Sequence, residues 1–166
     1  MTRGKVNYAM RSAARLAAVQ ALYQMDLTGA SVDVALRDQM QHVPDTDAGD
    51  VAQSAFDPAM LGDIVRGVTV RRGDIDEMLS AVLVEGWTLD RLEVVLRAIL
   101  RAGIWELLVR TDIDAPVVIN EYVNIAKDFF SGSEPKLVNG MLDRLASTLR
   151  PAQTGAARRD RHDKNG

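Results

Sequence analysis

From Ser12 to Leu149 the apolar residues recur at intervals of three and four. No convincing run shows the interval of two that a half-buried strand requires. Such a chain can bury its apolar surface only as helices packed on helices. Ser12 to Leu27 is one such run, stopped by Thr28-Gly29, and Ser31 can cap a second helix carrying Val34, Ala35 and Met40. Pro44 to Ala55 is polar and acidic and reads as a loop. Asp57-Pro58 opens a third helix with the stripe Leu61, Ile64, Val65 and Val68, and Gly73 breaks it. A short helix spans Asp74 to Glu85, with Gly86 as its stop. Thr88 then caps what reads as the longest helix, running to about Arg110 on the stripe Leu92, Val95, Leu96, Ile99, Leu100, Gly103 and Leu107. Pro116 starts the sixth, and Ser131-Gly132-Ser133 interrupts before a last helix that Ser133 caps and Pro151 ends. In that last helix the period runs through Asn139-Gly140, so Gly140 is read as a place of close approach by another helix. The expected fold class is all-α, about seven helices with antiparallel neighbours.

Three segments follow: a basic, flexible N-terminal arm over 1–10, a helical body over 11–150, and a disordered basic tail over 151–166. A chain of 166 residues needs no staple to fold, and there is no cysteine to supply one. No apolar run approaches the ~20 residues that cross a bilayer, and no signal-peptide core follows the N-terminal charges. The expectation is a soluble, cytoplasmic, complete chain that does not engage a membrane.

Net charge is -3, which argues against a strong nucleic-acid binder until its distribution is considered. Residues 1–25 carry Arg3, Lys5, Arg11 and Arg15 and no acid. Residues 26–90 carry thirteen acids against four bases, and the tail turns basic again. A phosphate backbone needs only a local basic patch on such a polarised molecule.

Catalytic chemistry finds no foothold. His42 and His162 stand alone, and a transition-metal site needs three or four convergent ligands. Asp74, Asp76 and Glu77 sit where a helix start favours acids, without the spacing of a calcium loop. There is no phosphate loop, dinucleotide fingerprint or nucleophile elbow. We therefore expect no enzyme, no cofactor and no metal. Trp87, Trp105 and Phe129 are assigned to the core by default, and Phe130 is the aromatic expected to be exposed. The basic arm is the better signal. Arg11 and Arg15 are four apart on one helix face, and guanidinium groups fork onto phosphates or stack on unpaired bases. Taken alone, the same charges also suit a solvated helix face.

Four blocks of the sequence resemble the NusB family, in order and in register over about residues 10–150. They are Ala14-Arg15 with Ala18-Val19-Gln20-Ala21-Leu22-Tyr23-Gln24, the run Leu96 to Leu108, Pro116 to Lys127, and Lys136-Leu137-Val138-Asn139-Gly140-Met141-Leu142-Asp143. The resemblance implies two packed helical subdomains and a non-catalytic role in transcription antitermination. It implies binding to boxA-type single-stranded RNA of ribosomal RNA leaders. Binding would be shared with NusE, a ribosomal protein of the small subunit, and would feed a complex with other Nus factors and RNA polymerase. By position it places RNA contacts at Arg3, Lys5, Arg11 and Arg15 and at the turn holding Ser133 and Lys136. It places NusE contacts at Tyr23 and Glu93. Charge reversal at Arg15 is then expected to weaken RNA binding with little loss of helicity. Some family members also self-associate, so a homodimer stands beside the monomer. Two alternatives remain: a protein–protein scaffold, and an RNA-binding part of an rRNA-modifying system.

Overall fold

Helices occupy nearly every run marked by the three-and-four spacing. The computed structural model describes residues 2–41 and 56–153, with side chains from Asn7 onward. Seven α-helices appear there: α1 (Thr2–Thr28), α2 (Val32–Gln41), α3 (Pro58–Val70), α4 (Arg72–Val82), α5 (Val94–Val109), α6 (Ala115–Phe129) and α7 (Glu134–Leu149). Short 3-10 turns lie at Leu89–Arg91 and Pro151–Gln153. No strand occurs among the described residues. The chain divides into two units, residues 1–70 and 71–166.

In the first unit α1 packs against both α2 and α3, and those two against each other. Ala14, Ala17, Ala18 and Ala21 are buried along α1, and small side chains allow close approach. The α3 stripe of Leu61, Ile64, Val65 and Val68 is buried as its spacing requires. Gly29 ends α1 at φ 71°, a left-handed conformation that glycine adopts at no steric cost. The caps read from the sequence hold at two sites: the Val34 N–H donates to Ser31 Oγ at 3.3 Å, and the Met60 N–H to Asp57 Oδ1 at 3.1 Å. The Asp57 N–H donates to the Met10 carbonyl at 3.1 Å, which ties the start of α3 to α1. Helix α1 already begins at Thr2, so residues 2–10 extend it where the sequence suggests a separate arm. The loop expected over Pro44–Ala55 lies outside the described residues, as do residues 154–166 of the tail.

In the second unit α5 contacts α4, α6 and α7. Every residue from Ala98 to Leu107 is buried, so α5 is sequestered on all sides rather than along one stripe. Gly103 makes this crowding feasible: a Cβ there would lie 2.9 Å from Leu142 Cδ1 and 3.4 Å from Tyr122 Cδ2. The buried ionic side chains of this unit, Arg101, Glu106 and Arg150, are hydrogen-bonded. Tyr122 donates its hydroxyl to the buried Glu106 carboxylate. Arg101 binds Asp76 through two bonds of 2.8 and 3.1 Å. Asp76 is therefore an ion-pair partner from α4 to α5, beyond any role at a helix start.

Arg150 closes the unit. Its guanidinium donates to the carbonyls of Leu107 at 2.9 Å, Glu106 at 3.0 Å, Arg110 at 2.6 Å and Ile113, and to Gln153 Oε1 at 3.3 Å. Gln153 Oε1 also accepts the Ala115 N–H at 2.8 Å, so one residue pair satisfies the end of α5 and the start of α6.

Several boundaries depart from the sequence reading. Helix α5 starts at Val94 rather than after Thr88, because residues 89–91 form a tighter turn and Leu92 and Glu93 are extended. The longest helix is thus α1, with 27 residues against 16 for α5. Neither Thr88 nor Ser133 makes a side-chain cap bond, and Ser133 is already helical at φ -87° and ψ -1°. The break between α3 and α4 falls at Arg71, φ -101° and ψ 15°, while Gly73 lies inside α4. Gly140 is exposed with nothing within 4 Å of a Cβ built there, so it is no close-approach site; Gly103 is.

Candidate RNA-binding and partner surfaces

In the first unit the basic residues sit along one end of α1. Arg3 and Lys5 fall within the helix, and their side chains lie outside those described. Arg11 is half-buried. Arg15, expected beside it for phosphate contact, is only 2% exposed and is engaged within the protein. The cause is visible in the helical register. Arg15, Ala18, Val19 and Leu22 fall on one stripe, and the last three are buried apolar residues. A guanidinium on that stripe is held inside rather than offered to a ligand. Tyr8, three residues before Arg11, is 60% exposed and adds an aromatic face to this end. Tyr23 is half-buried near the other end of α1, about 18 Å from Arg11 along the axis at 1.5 Å per residue.

In the second unit the structure brings together two residues the sequence assigned to different ligands. Glu93 and Ser133 line one groove of 490 Å³. Its apolar floor includes Leu83, Leu92, Leu96 and Leu137, and its aromatic walls are Trp87 and Phe130. Arg91 and Glu134 complete its polar lining. Glu93 and Ser133 are both exposed, and so is Lys136, three residues beyond Ser133 at the start of α7. The Glu134 carboxylate folds back over Gly132, where a Cβ would stand 2.8 Å from Oε2. That Oε2 is buried and has no hydrogen-bond partner.

The aromatic assignments divide. Trp105 is core, at 5% exposure. Trp87 is 54% and Phe129 41% exposed, while Phe130 is half-buried in the groove wall, so the expected roles of the two phenylalanines are exchanged. Trp87 had a signal in the sequence. It follows the Gly86 stop and belongs to no apolar stripe, which marks a tryptophan of the connection rather than of a helix core. Among the described residues no group of three His, Asp or Glu side chains could hold a metal, and no helix is long and apolar enough to cross a membrane. His42 and His162 lie outside the described residues.

A helical protein of two small units, one ending in a basic helix tip and one carrying an aromatic groove, is the class these features define. The chain belongs to the NusB family, whose profile matches residues 12–147. It is 47% identical over 140 residues to the transcription antitermination protein NusB of Caulobacter vibrioides, covering 84% of this chain and 94% of that one. The fold is similar to that of T. maritima NusB, with a TM-score of 0.70 and 33% identity over 82% of this chain and 90% of that chain. It is also similar, at a TM-score of 0.68, to a chain in the crystal structure of antitermination factors NusB and NusE in complex with dsRNA; coverage is 82% and 96%, and at 23% identity this likeness concerns the fold alone.

Proposed function

We propose that this chain is a transcription antitermination factor that binds boxA-type single-stranded RNA of ribosomal RNA leaders, and does so jointly with the ribosomal protein NusE. The observation that carries the reading is the family match over 12–147, together with a 47% identical relative that is an antitermination protein. The charge distribution supports it: acid-free residues 1–25 supply the basic helix tip, while the acidic stretch that follows suits a basic ribosomal protein. Within this reading Arg3, Lys5, Arg11 and Lys136 hold phosphates, Ser133 and its turn meet bases, and Tyr23 and Glu93 face NusE. Arg15 supports the arm from inside the protein. Other Nus factors and RNA polymerase join through the same complex. The chain acts in the cytoplasm by binding alone, without a catalytic step.

Charge reversal of single cations tests the assignment. Lys136→Glu should weaken boxA RNA binding and lower the salt dependence of affinity by about one counterion. Helicity should be unchanged, because Lys136 is exposed. An unaltered affinity and salt slope for both Lys136→Glu and Arg11→Glu would refute this placement of the RNA backbone.

A further inference from the structure

Tyr8 is the most exposed aromatic residue of the chain, with 60% of its surface in solvent against 54% for Trp87 and 41% for Phe129. Its backbone is nevertheless fixed, because it belongs to α1. From Ala14 onward that helix is packed through buried small residues, and the Asp57 N–H donates to the Met10 carbonyl at 3.1 Å. Met10 to Ala13 are half-buried, whereas Asn7, Tyr8 and Ala9 are all exposed. The helix therefore leaves the body of its unit between residues 9 and 10, and Tyr8 stands just beyond the last covered turn. A ring in that position adds nothing to a core, and tyrosine is a poorer helix former than alanine or lysine. What surrounds it is positive. Residues 1–25 contain no acid, and Arg11 lies three residues on, on the same face of the helix. Among the described residues no acidic side chain pairs with Arg11.

We propose that Tyr8 is a stacking platform for one unpaired base of the bound RNA, and that Arg11 holds the phosphate of the same nucleotide. The inference rests on the RNA-binding reading above. It adds a base contact at Tyr8, a residue outside the 12–147 span of the family profile. Side chains three residues apart on a helix start about 5–6 Å from each other. A nucleotide separates its base from its phosphate by one sugar, so ring and guanidinium are spaced to grip one nucleotide. A tyrosine has only two side-chain torsions to fix, so stacking orders little that was free. Every base has a π-face, so this contact supplies affinity for an unpaired strand without choosing a sequence. A paired base is already stacked within its duplex, so the contact separates single strands from duplexes. A basic protein partner is a poor occupant, because this acid-free helix end repels it.

Stacking and charge leave different signatures in a salt titration. End-labelled single-stranded boxA-type RNA would be titrated with the full chain and its variants, by anisotropy at several salt concentrations, with and without NusE. Tyr8→Ala should weaken binding about five- to a hundredfold at every salt concentration and leave the slope of affinity against salt unchanged, because it removes no phosphate contact. Arg11→Glu should instead lower that slope by about one counterion. Tyr8→Phe should restore most of the affinity and Tyr8→Leu should not, because leucine offers apolar surface but no ring face. On a duplex of the same sequence Tyr8→Ala should change nothing. Helicity and melting temperature serve as the check that each variant is folded. Unchanged affinity in Tyr8→Ala, or full rescue by Tyr8→Leu, would overturn the stacking contact while leaving RNA binding intact. An equal loss on single strand and duplex would overturn it too. A loss seen only when NusE is present would overturn it in favour of a protein contact. Absence of any anisotropy change for the unmodified chain, with or without NusE, would refute the RNA reading itself.

Discussion

Replacing Arg150 by methionine removes the guanidinium that closes the second unit at the end of α7. The guanidinium donates to four carbonyls and one side-chain oxygen. Two of these carbonyls keep another donor: Glu106 still receives the Arg110 N–H at 2.9 Å, and Arg110 still receives the Ile113 N–H at 3.1 Å. The carbonyls of Leu107 and Ile113 are the ones left short. Each buried acceptor deprived of its donor costs about 1–3 kcal/mol, and the carbonyls that lose a charged bond add a smaller amount. Methionine keeps the aliphatic stem, so packing changes little. The sum is a loss of about 3–5 kcal/mol, a large part of a typical total of about 5–15 kcal/mol. Urea unfolding followed by tryptophan emission, to which the buried Trp105 of α5 contributes, should show the midpoint falling by about 2 M with the slope unchanged. Burial holds the Arg150 pKa below the usual arginine value, opposed by Asp112, Asp114 and Glu106. For a base, a lowered folded pKa costs stability in full below that pKa, and the cost fades as pH rises from there to the ordinary arginine value. The guanidinium stays protonated throughout the neutral range, so the deficit should be the same at about pH 6 and pH 8. A midpoint shift smaller than about 0.5 M would refute the idea that Arg150 satisfies carbonyls nothing else reaches.

Other substitutions separate structure from binding. Gly103→Ala should cost about 1–3 kcal/mol in thermal or urea unfolding, since its Cβ would crowd Leu142 and Tyr122. Gly140→Ala should instead raise stability by up to about 1 kcal/mol, because the position is helical, exposed and open. Equal effects of the two would contradict the packing described. Arg15→Glu should unfold or strongly destabilise the first unit, by about 3–5 kcal/mol, because it buries a charge of the wrong sign. Near-native helicity and melting in that variant would mean that Arg15 is surface-accessible after all.

The helices were legible because each run of α2, α3, α6 and α7 repeats its apolar residues at the helical interval, and a periodic signal survives any tertiary arrangement. What the sequence concealed was local. A 3-10 turn at residues 89–91 keeps the polar–apolar order of a helix start, so the sequence places the start of α5 five residues early. Gly103 and Gly140 look alike in sequence, and only the neighbours at 2.9 Å and beyond 4 Å tell them apart. Arg150 counts as tail charge until its carbonyl partners are seen. On the functional side, the four in-register blocks named the family, yet residue roles carried over less evenly. Arg15 had a warning in its own stripe with Ala18, Val19 and Leu22, where a charged group is drawn inside. Glu93 and Ser133 were assigned to separate ligands by their positions in the family resemblance, and their forty-residue separation gave no sign that the packing of the second unit brings them to one groove. Exposure of Trp87 was readable from its place after a glycine stop, and was overridden by the general tendency of tryptophan to be buried.

Joint recognition of RNA with a protein partner is tested most directly by equilibrium titration. End-labelled boxA RNA would be titrated with the chain alone and with the chain plus NusE, each at two salt concentrations, with a scrambled strand and a duplex as competitors. Under joint recognition, binding should be salt-sensitive, favour the boxA strand and tighten when NusE is present. Binding that ignores sequence, salt and NusE alike would contradict it, and would leave the helical fold serving as a protein scaffold.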